Sequence, residues 1–226
     1  MKERGILMQG ESVLGILEGR KSQTRRVIKP QPPEECSIHY FLGNESWLDE
    51  SKKAPLRHHW EAWGGELYKN RPEGWLCGAH EVKSPYGQPG DRLWVRETWM
   101  PFTEAGVLLH EAIYKAADRP EPDGDTPLKW RPPIFMPRWA SRITLEVVNV
   151  RVERVQDISE EDCKSEGIKD LIVGVTFSDK KINLSQELGL SYRDRYKYLW
   201  NSINAKRGYG WDVNPYVWVI EFKVLP

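Results

Sequence analysis

Gly19-Arg20-Lys21-Ser22-Gln23-Thr24-Arg25-Arg26 gathers an ammonium, guanidinium groups and hydroxyls within eight residues. Lys21 and Thr24 are three apart, which puts both on one side of a helical turn or a tight loop, with Arg26 two further on. Together they can share one pocket. Amide hydrolysis requires a nucleophile, a base to take its proton and donors for the developing oxyanion. Thr24 and Lys21 can fill the first two roles, as in Ser-Lys hydrolases. A free lysine has a pKa of about 10.4, so Lys21 works as a base at neutral pH only if burial or the cations Arg20, Arg25 and Arg26 lower it. Guanidinium groups do not give up protons, so Arg25 and Arg26 are assigned to substrate binding and local potential. The same residues can equally form a phosphate- or base-binding edge with no chemistry, and residue types alone leave both readings open.

The elements that must position this stretch are legible around it. Val13, Leu14 and Leu17 have helical spacing, and Gly19 stands where a left-handed cap ends a helix over 11–18. Ile6-Leu7-Met8 is a short strand. From Pro30 to Pro89 prolines, glycines, His39, His58, His59, His80 and several tryptophans occur without sustained period, which predicts a loop-rich insertion whose tryptophans pack back onto the rest. Leu93, Val95 and Glu97 alternate with Arg92, Trp94 and Arg96 as a strand would. An apolar run follows over 107–116. The prolines between Lys129 and Ala140 predict an extended connector. Residues 142–155 read as a strand with a bulge near Val148-Asn149. Ser159 and Asp162 fit the start of a helix ending near Gly167. Residues 174–191 read as loop, 192–203 as a helix and 216–224 as the last strand.

The pattern Gly19-x-Lys21-x-x-Thr24-x-Arg26 resembles the signature of the ASCH domain, a small β-barrel of the PUA-like superfamily. Gly90-Asp91-Arg92-Leu93-Trp94-Val95 resembles that family's strand, and Tyr216 to Phe222 its closing strand. The resemblance covers roughly half of the chain, in pieces and in order. It implies one α+β domain over 1–226: a PUA-like mixed β-barrel with flanking helices and an insertion over 30–89. In the family's amidohydrolases, which deacetylate N4-acetylcytidine, the working residues are a Lys and a Thr of this motif and a Glu on a later helix. Residue by residue these are Lys21, Thr24 and Glu166. Glu166 then ends a helix, where its charge opposes the helix dipole at a cost of a few tenths to about one kcal/mol unless a cation such as Lys21 compensates it. The implied activity is removal of an acyl group from an N4-acylated cytidine or related pyrimidine nucleoside. The same resemblance admits a non-catalytic reader of RNA or modified nucleic acid, and an ASCH-type ribonuclease.

Composition narrows the classes. The chain has 226 residues, 39% of them hydrophobic, and 33 basic residues balance 33 acidic ones. A neutral chain does not coat nucleic acid by bulk charge, so any such contact is local. Residues 20–29 are one basic footprint, and Arg131, Arg138 and Arg142 a second. Trp139, flanked by Arg138 and Arg142, is expected to be a stacking wall for a base. No run of about eighteen apolar residues exists, and Met1 to Gly5 lack the apolar core of an export signal. A cytoplasmic protein with no membrane association is expected, with a nucleoside or RNA as partner and no cofactor. Cys36, Cys77 and Cys163 are expected to be free thiols. Cys36-x-x-His39 and Cys77-x-x-His80 have the ligand types and short spacings of a structural zinc site. The two pairs lie far apart, His58 and His59 compete, and histidines in a Trp-rich insertion more often pack, so no metal is expected.

Overall fold

Val217, Trp218, Val219 and Ile220 are consecutive apolar residues, and an extended chain points them alternately to opposite sides. Both sides of that strand must therefore be covered. In the computed structural model, which describes residues 1–31, 36–41, 57–62, 80–82, 84–104, 107–116, 129–169, 172–177, 180–183 and 189–226, all four are buried. They belong to β12 (Tyr216–Val224), which lies between β9 (Thr144–Arg154) and β2 (Gln23–Val27) in a five-stranded sheet. β6 (Arg92–Arg96) and β1 (Glu3–Leu7) complete the order β1-β6-β9-β12-β2. Only the β1–β6 pair is parallel, so the sheet is mixed.

One face holds Ile6, Leu93, Val95, Leu145, Trp218, Ile220 and Phe222, joined by Val13 and Ile16 of α1 (Gly10–Leu17). The other face holds Val217 and Val219, packed with Cys163 of α2 (Glu160–Ser165) and with Tyr196 and Trp200 of α3 (Tyr192–Asn204). Tyr196 and Trp200 are four apart and so lie on one side of α3. Ser191 caps α3 by accepting from the Asp194 amide, while the Asp194 carboxylate accepts in return from the Ser191 amide. Asp91 anchors the other end of the sheet by accepting from the Lys2 amide at 2.7 Å and from the Arg4 guanidinium at 3.0 Å.

The expected bulge is present. Glu221 faces Asn149 and Phe222 faces Val147, so Val148 is the extra residue. The inward set changes there from Leu145 and Val147 to Val150 and Val152. The expected barrel is instead an open sheet. β1 and β2 are its edges, and no strand pairing closes them among the described residues. What spans the seam is a side chain: Arg26 donates to the Leu7 carbonyl at 2.6 Å.

Other expectations require correction. Thr24 is not on a helical turn or in a loop, because pairing of Gln23–Val27 with β12 draws that part of the motif into an edge strand, while Lys21 precedes the strand and bridges to Glu166. Residues 174–191, read as loop, contain much of a hairpin of β10 (Ile172–Phe177) and β11 (Lys180–Asn183). There Gly174 and the polar surroundings masked a β-branched run. The insertion contains a three-stranded antiparallel sheet, β3 (Cys36–Phe41), β4 (Arg57–Ala62) and β5 (His80–Val82). The side chains of Cys36, His39, Trp60 and His80, and all of Cys77, Trp47, Trp63 and Trp75, lie outside the described residues. β7 (Trp99–Glu104) pairs with β8 (Val107–Tyr114), and the proline-rich connector holds two 3-10 turns, Pro133–Phe135 and Arg138–Ala140. No helix among the described residues is long and apolar enough to cross a membrane.

Ile220 is fully buried at the centre of β12. Ile220→Ala should lower unfolding stability by about 2–5 kcal/mol. Val148→Ser at the half-exposed bulge should stay within about 0.5 kcal/mol, as read from urea midpoints. Equal losses at the two sites would contradict this placement of the core.

Candidate active site

The motif reaches its site through two glycines. α1 ends at Gly19 with φ of 72°, and the amides of Arg20 and Lys21 both donate to the Gly15 carbonyl, at 2.8 and 2.9 Å. That sharp turn lays the Lys21 stem on Gly15, where an added Cβ would stand 3.2 Å from Lys21 Cβ. α2 stops at Gly167, φ 88°, where an added Cβ would stand 3.1 Å from the same atom. Lys21 and Glu166 pair as an isolated antiparallel bridge, and the Ser22 amide donates to the Ser165 carbonyl at 2.9 Å. A residue 145 positions away is thereby fixed beside the motif.

Lys21 Nζ donates to Glu166 Oε2 at 2.6 Å and to the Glu166 carbonyl at 2.7 Å, and the two side chains are only 4% and 5% exposed. The carbonyl belongs to the C-terminal end of α2, where a cation is favourable. Arg25 Nη1 lies 3.5 Å from the other Glu166 oxygen, while its Nη2 donates to Asp162 at 2.6 Å and to Glu153 at 3.0 Å. Arg151 also donates to Asp162, at 2.9 Å. The Asp162 carboxyl is held below the usual range: burial alone would raise it, and the Arg25 and Arg151 guanidiniums outweigh burial. Burial lowers the Lys21 pKa; Glu166 opposes this, and the Arg26 and Arg25 charges reinforce it. The balance is thus shifted toward the neutral amine, the direction a base requires.

A cavity of about 470 Å³ opens over this pair at the sheet's seam. Lys21, Thr24, Glu166, Arg25 and Arg26 all line it. Thr24 is buried, and its hydroxyl has no hydrogen-bond partner among the described residues; in particular there is no direct bond to Lys21. Arg26 lines the cavity while its guanidinium clasps the seam. Trp139 is elsewhere: it stands on the 3-10 turn Arg138–Ala140, 44% exposed, edge-on to Trp99 at 5.7 Å. In the second basic group Arg138 pairs with Glu3 and Arg142 with Glu97, while Arg131 lies over the Trp99 ring.

The sequence reading missed the α3 contribution. Tyr196 lines the cavity, and burial, reinforced by the Glu166 charge, raises its pKa well above the usual value, so its phenol stays protonated as a donor. In the sequence it is one of several large side chains on one side of the 192–203 helix, and only the proximity of α3 to β2 reveals its place at the cavity. Tyr86, Tyr209, Trp200, Lys29 and Arg207 also line the cavity. Their positions along the chain carry no motif. No protein-family model, curated protein or solved structure matches the chain.

Lys21→Met would leave the Glu166 carboxylate with only the longer Arg25 contact. The loss of stability should lie near the lower end of the roughly 3–5 kcal/mol typical of a broken buried pair. The pH dependence has a definite sign. Burial holds the folded-state Lys21 pKa below the ordinary 10.5, so between those two values the unfolded chain binds the additional proton. Wild-type stability therefore gains as pH rises through that window, and Lys21→Met lacks the gain. Denaturation midpoints measured from about pH 7 to 10 should separate the two proteins, and a constant difference across that range would contradict the lowered value.

Proposed function

We propose that the cavity hydrolyses the exocyclic amide of an N4-acylated cytosine nucleoside, and that the open sheet is an ASCH-type, PUA-like fold, as the motif resemblance implies. The observation that supports this reading is that one cavity holds the buried Lys21–Glu166 pair, a Thr24 hydroxyl with no partner among the described residues, and a protonated Tyr196 phenol. In this reading neutral Lys21 takes the Thr24 proton through a cavity water, and Thr24 Oγ1 bonds to the acyl carbon. Tyr196 donates to the oxyanion as it forms. Collapse breaks the bond from the acyl carbon to N4, and N4 leaves with the proton from Lys21. Water then cleaves the threonyl ester, releasing the carboxylic acid and restoring the hydroxyl. Glu166 holds Lys21 Nζ in place throughout.

One observation favours a second reading, binding without chemistry. Both short Lys21 contacts go to Glu166, and they tie α2 to the motif. A structural tie of that kind needs no turnover.

Incubation with N4-acetylcytidine, with acetate followed by proton NMR, separates the two. Release above the uncatalysed rate is expected. Thr24→Val should lower it by at least about 10²-fold, Thr24→Ser should retain part of it, and Tyr196→Phe should lower the maximal rate by about 10² to 10³. Lys21→Met combined with Thr24→Val should lose little beyond either alone, since members of one catalytic unit are not additive. The wild-type rate should rise with pH as Lys21 deprotonates. Acetate at the blank rate would leave the binding reading in its place.

A further inference from the structure

The cavity's charge departs sharply from that of the chain. Basic and acidic residues balance overall, yet Lys21, Arg25, Arg26, Lys29 and Arg207 line this space against Glu166 alone. Two of those cations are accounted for. Lys21 is neutralised by Glu166, and Arg25 is bound to Asp162 and Glu153, which lie outside the cavity lining. The other three have no carboxylate partner among the described residues. Arg26 donates to the Leu7 carbonyl at 2.6 Å and contacts the Met8 sulfur at 3.2 Å; its Nε is buried with no partner. Lys29 lies 5.1 Å from the centre of the Tyr209 ring. Arg207 is exposed and precedes Gly208, whose φ of 82° turns the chain so that Arg207 and Tyr209 both reach the cavity.

Gathering unpaired cations around one concave, partly apolar space concentrates positive potential there. An uncharged nucleoside would leave that repulsion uncompensated. Resting on the reading of this cavity as the functional site, we propose that its occupant is a pyrimidine mononucleotide whose phosphate is held at the mouth by Lys29, Arg207 and Arg26. Arginine offers paired donors to phosphate oxygens and lysine a compact charge. Tyr86, Trp200 and Tyr209 supply aromatic surface for a flat pyrimidine ring. The volume of about 470 Å³ falls in the range of small-molecule sites, which favours a mononucleotide over a strand.

The test is equilibrium calorimetry on the whole protein at about 50 mM salt, with cytidine, cytidine 5′-monophosphate, inorganic phosphate and a short oligocytidylate as probes. Cytidine 5′-monophosphate should bind at least about tenfold more tightly than cytidine, and inorganic phosphate should compete with it. Because Lys29 and Arg207 are exposed, the double variant Lys29→Ala with Arg207→Ala should fold, and it should bring the two affinities close together. A charge-reversed pair, Lys29→Glu with Arg207→Glu, should invert the preference. Equal affinities in the wild type, or a preference that survives both double variants, would overturn the proposal. So would an oligonucleotide that binds far more tightly than the monomer with a steeper salt dependence, which would indicate a strand-binding site. A phosphate preference without acetate release from N4-acetylcytidine or its 5′-monophosphate supports the anion site and removes the hydrolase. Acetate release with equal nucleoside and nucleotide affinities overturns the anion site and keeps the hydrolase.

Discussion

The contact on which the local structure depends is the ion pair between Lys21 and Glu166. Removing both charges from water costs several kcal/mol per ion unless the geometry and the remaining hydrogen bonds are good. Here the ammonium has two short acceptors, one of them the carbonyl of Glu166 at the C-cap of α2, and the carboxylate keeps a longer contact with Arg25. The backbone participates as well, through the Lys21–Glu166 bridge and the bond from Ser22 to Ser165. The pair therefore sets where α2 stands against β2. Gly15 and Gly167 permit this because a Cβ at either would press on the lysine stem.

Strand β2 carries chemistry on both of its faces. Arg25 and Val27 point to the side of Val217 and Val219, and Thr24 and Ile28 to the side of Trp218 and Ile220. A central strand with that composition would bury guanidinium groups against its neighbours. An edge strand can instead turn them into a cleft. Asp162 and Glu153 take the short contacts of the Arg25 guanidinium, with Arg151 on the same Asp162, so this buried cation is compensated while its contact with Glu166 stays the longer one at 3.5 Å. That arrangement leaves Glu166 to Lys21.

Much of the scaffold was legible because its signals are local. The helical spacing of Val13, Leu14 and Leu17, the glycine stop at Gly19, the Ser159 cap and the change of alternation at Val148 each depend on neighbours in sequence, although within that helix Ile16 is buried and Leu17 half-exposed. The pairing of Lys21 with Glu166 was accessible from the motif resemblance and from the need to compensate a carboxylate at a helix end. What could not be read depends on distant contacts. Strand character in the motif comes from its pairing with β12, and the roles of Tyr196, Lys29 and Arg207 come from the approach of α3 and the segment after it to β2. Trp139 stands apart from this cavity for the opposite reason. Its flanking arginines suggested a basic stacking site, but carboxylates hold Arg138 and Arg142, and the ring packs on Trp99.

The open seam explains why the cavity lies where it does. Had a ladder joined β1 to β2, backbone hydrogen bonds would occupy the edge of β2 and the space beside it would be filled. Instead Arg26 reaches across to Leu7 with one end of its guanidinium, and its Nε remains buried without a partner. The side chain that holds the two edges together is thus also one that faces the cavity. An anion bound there would supply the charge compensation that Arg26 lacks on the backbone carbonyl. The same anion would offset the Arg26 contribution that lowers the Lys21 pKa. Ligand binding in the proposed site, the hold across the seam and the basicity of Lys21 would therefore be linked through one guanidinium.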